Sequence, residues 1–288
     1  PEEPTSALAA RAARKALDAG GRSAEEVDLI IVATLSPDVP FPNTGCYVQK
    51  RLHAPNAACF SLEAACSGFL YGLQVAAGLV RTGGFRTALV VGAEKLSRYI
   101  DWTDRTTCVL FGDGAGAVLL ERTEPENDAL LAAKLGADGR YTDLLNVPGG
   151  GTAMPTTPEV LDQRLDCIKM QGREVFKLAV NAMVGAAYDV LEHAGVTTEQ
   201  ITWLVPHQAN KRIISAVGQR LKIDSDRVYV NLDRFGNTSA ATIPIALDEI
   251  ARGHAVQAGD YLLLVAFGGC LTWGAGLLQW PDTDGNQD

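Results

Sequence analysis

The feature that most constrains how this chain can fold is an internal echo. Asp28-Leu-Ile-Ile-Val-Ala-Thr-Leu-Ser36 matches Thr202-Trp-Leu-Val-Pro-His-Gln-Ala-Asn210 in pattern, and Gly114-Ala-Gly-Ala-Val-Leu-Leu120 matches Gly274-Ala-Gly-Leu-Leu278. Between them, the segment that runs from Cys66 into a helix matches the segment that runs from Asn237 into another. Three pairs in the same order imply two similar βα-rich halves, each contributing loops to one central site. Polar residues 121–128, with Pro125, mark the boundary, so the expected halves are 1–123 and 124–288.

Local patterning fills in the halves. Residues 27–34 and 87–93 are short, strongly apolar runs of the kind that form strands buried on both faces, which predicts a parallel or mixed sheet. Residues 7–19 carry Ala, Arg and Leu at helical spacing and stop at Gly20-Gly21. The loop from Ser36 to Asn43 holds three prolines, and a helix over 44–52 follows it. Residues 112–120 read as a glycine-rich turn entering a strand. Gly112-x-Gly-x-Gly lacks the spacing of a dinucleotide loop and leads into a strand rather than a helix, so it does not point to phosphate. Residues 137–158 are irregular, and a loop of that length in a compact domain is usually functional. Helices are expected over 175–194 and 239–252, and 261–280 reads as two strands joined by a glycine-rich turn.

A net charge of −9 and a pI near 5.0 exclude general nucleic-acid binding. Six cysteines are scattered without CxxC pairs or metal-ligand spacing, so they read as reduced thiols with no metal site, which suggests a cytoplasmic protein. No apolar run approaches the roughly 18 residues of a membrane span.

The candidate nucleophile is Cys66, in Phe60-Ser-Leu-Glu-Ala-Ala-Cys-Ser-Gly-Phe69. It opens a helix that is apolar over most of its surface, and the N–H groups and partial positive charge of a helix start are expected to lower its pKa. The second half delivers His207 after Pro206, at the C-terminal edge of a strand, where open α/β sheets place their sites. Asn237 sits in the turn before the last long helix. Cys, His and Asn together also serve papain-like proteases, but the C-G-S-C-[WY] signature of those enzymes is absent.

Ala64-Ala-Cys-Ser-Gly-Phe69, Phe111-Gly-Asp-Gly-Ala-Gly116, Val205-Pro-His-Gln-Ala-Asn210, Gly236-Asn-Thr-Ser-Ala240 and Phe267-Gly-Gly-Cys-Leu-Thr-Trp-Gly274 resemble, in order and spacing, the β-ketoacyl-acyl carrier protein synthase III family of thiolase-like condensing enzymes. The resemblance implies a five-layered αβαβα fold with two pseudo-symmetric halves, assembled as a homodimer. It also implies the start of type II fatty acid synthesis, with no permanently bound cofactor. Cys66 takes an acyl group from acyl-CoA, acetyl-CoA being the expected primer, with the N–H groups of Cys66 and Gly269 as oxyanion hole. Malonyl-acyl carrier protein then loses CO2 and condenses with the acyl group, while His207 Nε2–H and the Asn237 amide donate to the enolate oxygen.

Further roles are implied by the same resemblance. Phe267 assists carboxylate loss, and Phe41 reaches across the dimer to close the partner's acyl pocket. Arg105 contacts CoA, and Asn210 orients His207 or the CoA arm. Lys177, Lys211 and Arg212 form a basic docking patch for the acidic carrier protein. Two departures stand out. An earlier strand and a Trp/Arg adenine clamp are not in this sequence, which would leave the core sheet one strand short. Cys270 stands where glycine is usual, near the expected pocket. A starter synthase of a polyketide or other specialised pathway would carry the same triad. A non-catalytic partner subunit is disfavoured by the presence of all three residues.

Overall fold

The computed structural model of the protein describes residues 3–282. Eight α-helices are described: α1 Thr5–Ala19, α2 Thr44–Leu52, α3 Gly68–Arg81, α4 Pro158–Asp162, α5 Gly172–Ala194, α6 Lys211–Leu221, α7 Leu232–Phe235 and α8 Thr242–Arg252. Ten strands accompany them: β1 Leu29–Ala33, β2 Ala58–Leu62, β3 Thr87–Lys95, β4 Asp113–Glu121, β5 Leu130–Ala137, β6 Leu145–Asn146, β7 Lys169–Met170, β8 Ile201–Pro206, β9 Tyr261–Phe267 and β10 Thr272–Gln279.

The first sheet has the order β2-β1-β3-β4 and the second β5-β10-β9-β8. In the first, β1 runs parallel to β3 and β3 antiparallel to β4; in the second, β8 runs parallel to β9 and β9 antiparallel to β10. The repeat read from sequence is therefore a repeat of topology. A parallel bridge from Leu204 to Val228 continues the match, standing beside β8 as β2 stands beside β1. The second sheet carries β5 beyond β10, and among the described residues nothing pairs on the corresponding side of β4.

Hydrophobic burial sorts the elements into five layers. Ala9, Ala13 and Leu17 of α1 and Val48 and Leu52 of α2 cover one face of the first sheet. Phe69, Leu73 and Val80 of α3, with Ile243, Leu247 and Ile250 of α8, fill the space between the two sheets. Met183, Val184, Ala187 and Leu191 of α5, with Ile213, Val217 and Leu221 of α6, cover the far face of the second sheet. β1 and most of β3 are buried completely because helices lie on both sides of them.

Three local expectations are corrected. Gly114 and Gly116 lie within β4 rather than in a turn before it. They are small because α8 crosses there, so a Cβ on Gly116 would sit 2.7 Å from Ile245 N. The stretch over 137–158 is less irregular than expected: residues 139–144 hold two short 3₁₀ turns that meet at a kink at Tyr141, and β6 pairs with β7. Cys66 is not in the first turn of α3. It occupies a separate 3₁₀ turn, Ala65–Ser67, and α3 begins at Gly68.

Candidate active site

The two helices of the middle layer are entered by turns of the same shape. Ala65 opens the turn Ala65–Ser67 with φ 47°, and Ser239 opens the turn Ser239–Ala241 with φ 50°. Left-handed backbone at a non-glycine residue costs on the order of 1–3 kcal/mol, and both halves carry it at the same place. The two turns pack against each other at the centre of the molecule. This contact brings Cys66 of the first half to the Asn237 segment of the second.

The turn after β9 closes over Cys66 from a third side. A Cβ on Gly268 would lie 2.6 Å from the Cys66 backbone nitrogen, so only glycine permits this approach. Thr272 ties the same turn down, its hydroxyl donating to Ala64 O at 2.8 Å and meeting Ser67 Oγ at 2.7 Å. Segment 139–146 packs over this turn, with Leu145 O about 3.1 Å from where a Gly269 Cβ would stand. The long loop therefore roofs the turn that carries Gly269.

Cys66 is buried, and burial pushes its thiol up to about 12. This overturns the expectation of a lowered pKa. The Ser239 hydroxyl and the N–H groups of Gly269 and Cys66 itself favour the thiolate, as expected of an anion-binding turn, but desolvation outweighs them and the nearby Glu94 charge adds to it. At neutral pH Cys66 rests as a thiol.

His207 follows the last residue of β8 and is 1% exposed. Its N–H donates to Val265 O at 2.8 Å, and Gln208 braces the strand end through Nε2 to Pro206 O at 2.8 Å and Tyr229 O at 3.2 Å. Burial pushes the imidazole down to about 3, so it is neutral. Its Nδ1 lies 2.7 Å from Thr242 Oγ1, at the start of α8. Asn237 is held at both backbone groups: its N–H donates to Leu110 O at 2.8 Å, and its carbonyl accepts from Gly112 N–H at 3.0 Å. Its side-chain oxygen accepts from Ser239 N–H at 2.9 Å, which leaves the amide nitrogen available to donate. Cys66, His207 and Asn237 thus meet through the Ser239–Thr242 segment.

The remaining expected residues lie around this centre. Phe267 is buried at the end of β9. Phe41 is 85% exposed, in the loop before α2. Arg105 is exposed. Asn210 caps α6, its side chain accepting from Ile213 N–H at 3.0 Å, so the residue that holds His207 Nδ1 is Thr242 and not Asn210. Lys177, Lys211 and Arg212 are exposed, and Arg212 lies 5.9 Å over the Phe176 ring, which joins the start of α6 to α5. The Cys270 side chain falls outside the described residues. Among the described residues no cluster of His, Cys, Asp and Glu is suited to a metal, and no helix is long and apolar enough to cross a membrane.

Two family models match the chain: 3-oxoacyl-[acyl-carrier-protein] synthase III over residues 60–139, and the C-terminal part of the same family over 191–280. A protein of Roseiflexus castenholzii named beta-ketoacyl-[acyl-carrier-protein] synthase III is 50% identical over 280 residues, covering 97% of this chain and 84% of the relative. The chain belongs to the 3-oxoacyl-[acyl-carrier-protein] synthase III family. The family's crystal structure from Aquifex aeolicus superposes with a TM-score of 0.90 at 45% identity, covering 97% of this chain and 86% of that one. A priming β-ketosynthase of a polyketide pathway superposes equally well, at 0.90, with 34% identity and coverage of 98% and 84%.

Family membership accounts for the motifs but not for every residue that builds the site. Sequence reasoning missed Ser239, Thr242, Gln208 and Glu94. Ser239 and Gln208 stand inside recognised motifs and Thr242 just beyond one. Glu94 carried its own signal, a carboxylate directly after the apolar run 88–93.

Proposed function

We propose that the chain is a condensing enzyme that starts fatty acid synthesis by two half-reactions at one buried site. In the first, Cys66 Sγ attacks the thioester carbonyl of an acyl-CoA primer, and the N–H groups of Cys66 and Gly269 receive the oxyanion. The S–C bond to CoA then breaks, leaving acyl-Cys66. In the second, malonyl-acyl carrier protein loses CO2, its enolate attacks acyl-Cys66, and 3-oxoacyl-acyl carrier protein leaves. No metal or bound cofactor enters either step.

The observation that carries this reading is the joining of the two halves at the Ser239–Thr242 segment, which ties Asn237 and His207 to the turn of Cys66. Negative charge on the malonyl thioester oxygen needs neutral donors in a dry site, and a histidine held near pKa 3 is one. The Thr242 hydroxyl has one proton and two acceptors nearby, His207 Nδ1 at 2.7 Å and Ser239 O at 3.0 Å. Ser239 O already accepts the Thr242 N–H. Donation by the hydroxyl to Nδ1 puts the imidazole proton on Nε2, the tautomer that the decarboxylation step requires.

Incubation with a labelled acyl-CoA is expected to leave a hydroxylamine-labile adduct on the Cys66 peptide, absent in Cys66→Ala. Labelling that survives this substitution would assign the acyl group to another residue. A panel of acyl-CoA primers in the same assay distinguishes a fatty acid primer from a specialised starter unit.

Arg105 and Asn210 belong to the CoA approach, and Phe267 borders the decarboxylation site. A second copy of the chain is supported by the exposure of Phe41 at 85% and Trp102 at 69%, aromatic surface that a partner would bury. The two halves, 1–123 and 124–288, are the units of the internal repeat, and the reduced thiols suit the cytoplasm. Docking of an acidic carrier protein on a chain of charge −9 requires a local basic patch, for which Lys177, Lys211 and Arg212 are exposed together at α5 and α6. Arg212→Glu or Lys177→Glu is expected to raise KM for malonyl-acyl carrier protein by about tenfold while sparing acyl loading from CoA. Equal loss in both half-reactions, measured separately, would mean that these residues support the fold.

A further inference from the structure

Cys46 and Cys59 are separated by 13 residues, so no spacing motif joins them in the sequence, yet their sulfurs lie 3.5 Å apart. Cys46 is the third residue of α2, and Cys59 is the second of β2, the strand at one end of the first sheet. Cys59 packs with the residues under the outer helix layer, as does its register partner Ile30 on β1, while Phe60 and Leu62 face the middle layer. The two thiols therefore stand across the first sheet from α3, the helix that Cys66 precedes, and the half-reactions make no use of them. Both are half-buried. Their approach is set by backbone and not by two long side chains that happen to meet. The neighbouring Gly45 N–H donates to Ser61 Oγ at 3.2 Å, and a Cβ on Gly45 would lie 3.0 Å from Phe60 O and 3.1 Å from Phe60 N.

The surroundings of the two sulfurs differ. Asn43 Oδ1 accepts the Cys46 N–H at 3.3 Å, which turns the amide nitrogen toward the sulfur, and Nδ2 donates to Cys46 Sγ at 3.3 Å. The Cys59 S–H donates to the same sulfur. Cys46 thus has two donors aimed at it and sits in the first turn of a helix, an arrangement that favours a thiolate. Burial, and then the adjoining Cys46, push the Cys59 thiol up to about 11, so Cys59 rests protonated.

We propose that Cys46 and Cys59 form a dithiol–disulfide site that reacts with small disulfides, Cys46 attacking first and Cys59 resolving. In the first step the Cys46 thiolate attacks one sulfur of R–S–S–R, whose S–S bond breaks; the released RS⁻ takes up the proton that Cys46 gave to solvent. In the second, Cys59 loses its proton to solvent and its sulfur attacks Cys46 Sγ. The bond from Cys46 to R–S breaks, and the second RS⁻ takes up a proton. Two S–H bonds of the protein are replaced by one S–S bond, and two electrons and two protons leave as two RSH. The sulfurs close from 3.5 Å to a bond of about 2.05 Å, a movement that rotation of both side chains supplies. The product ties α2 to β2, the strand that runs directly into the Cys66 turn.

The test is exposure of the native full chain to glutathione disulfide, followed by an acid quench, blocking of free thiols, digestion and mass spectrometry of each cysteine peptide. In the parent, the Cys46 and Cys59 peptides should become joined, with no lasting glutathione on either, and dithiothreitol should return both thiols. Cys59→Ser removes the resolving sulfur, so glutathione should accumulate on Cys46. Cys46→Ser removes the attacking one, and glutathione should reach Cys59 about tenfold more slowly, or slower still, than it reaches Cys46 in Cys59→Ser. A parent that gathers glutathione on Cys46 without joining the peptides, or joins them only after denaturant is added, would overturn the site. Equal rates in the two variants would overturn the order of attack. The parent cross-link decides the site by itself, whether or not either variant folds.

Discussion

Asn237→Ala is expected to keep acyl transfer from CoA to Cys66 within a few-fold of the parent and to slow CO2 release from malonyl-acyl carrier protein by roughly 10²–10³, the usual cost of one oxyanion donor. The amide oxygen of Asn237 is committed to Ser239 N–H at 2.9 Å, so the nitrogen is the part that serves chemistry. Asn237→Asp makes the case sharper, since it preserves the acceptor and replaces the donor with an anion where an oxyanion must form. It should lose decarboxylation at least as completely. His207→Ala should slow the same step, and the parent step should show no titration of this histidine between about pH 5 and 9, because burial already holds it down to about 3. Single-turnover acyl transfer and CO2 release, measured apart, decide the matter. An Asn237→Ala protein that decarboxylates at the parent rate but takes up no acyl group would invert the assigned roles.

The sequence disclosed the architecture because the two halves repeat it. β1 and β8, the Cys66 and Asn237 segments with their helices, and β4 and β10 are readable as matched pairs in the same order, and the pairing of β3 and β9 between them follows the same order in each half. Cys66, His207 and Asn237 were readable because each stands at the end of such an element. What remained hidden depends on contacts between halves. Whether a cysteine at a helix start is acidic depends on its dielectric surroundings, and those are set by the Gly268 turn and the Ser239 turn, two hundred or so residues away in the chain. Thr242 as the partner of His207 and Ser239 as the neighbour of Cys66 are likewise properties of the seam. A linear reading sees polar residues at a helix start and assigns them to capping.

The seam also supplies the largest expected effect on stability. Gly92 lies on β3, paired with Ala33 on one side and Gly116 on the other, directly beneath the second-half turn. A Cβ there would stand 2.2 Å from Ala240 O and 2.7 Å from Ala240 C, backbone atoms that no rotamer change can withdraw. Gly92→Ala must therefore move the turn Ser239–Ala241 or the strand itself. Overpacking of this kind costs typically 1–3 kcal/mol and here should reach about 3 kcal/mol. In a chain of this size each kcal/mol lowers Tm by about 2–4 °C, so a fall on the order of 6–12 °C is expected by circular dichroism. Gly185 on α5 is the control: it is exposed, and a Cβ there meets nothing within 4 Å. Gly185→Ala should raise stability by about 0.5–1 kcal/mol through helix propensity and a less flexible unfolded chain. Because Ser239 leans on Glu94 and Thr242 on His207, the displaced turn in Gly92→Ala should also lose both half-reactions well below its melting temperature. A Gly92→Ala protein that melts with the parent and keeps its activity would show that the two halves are not held to one another by this contact.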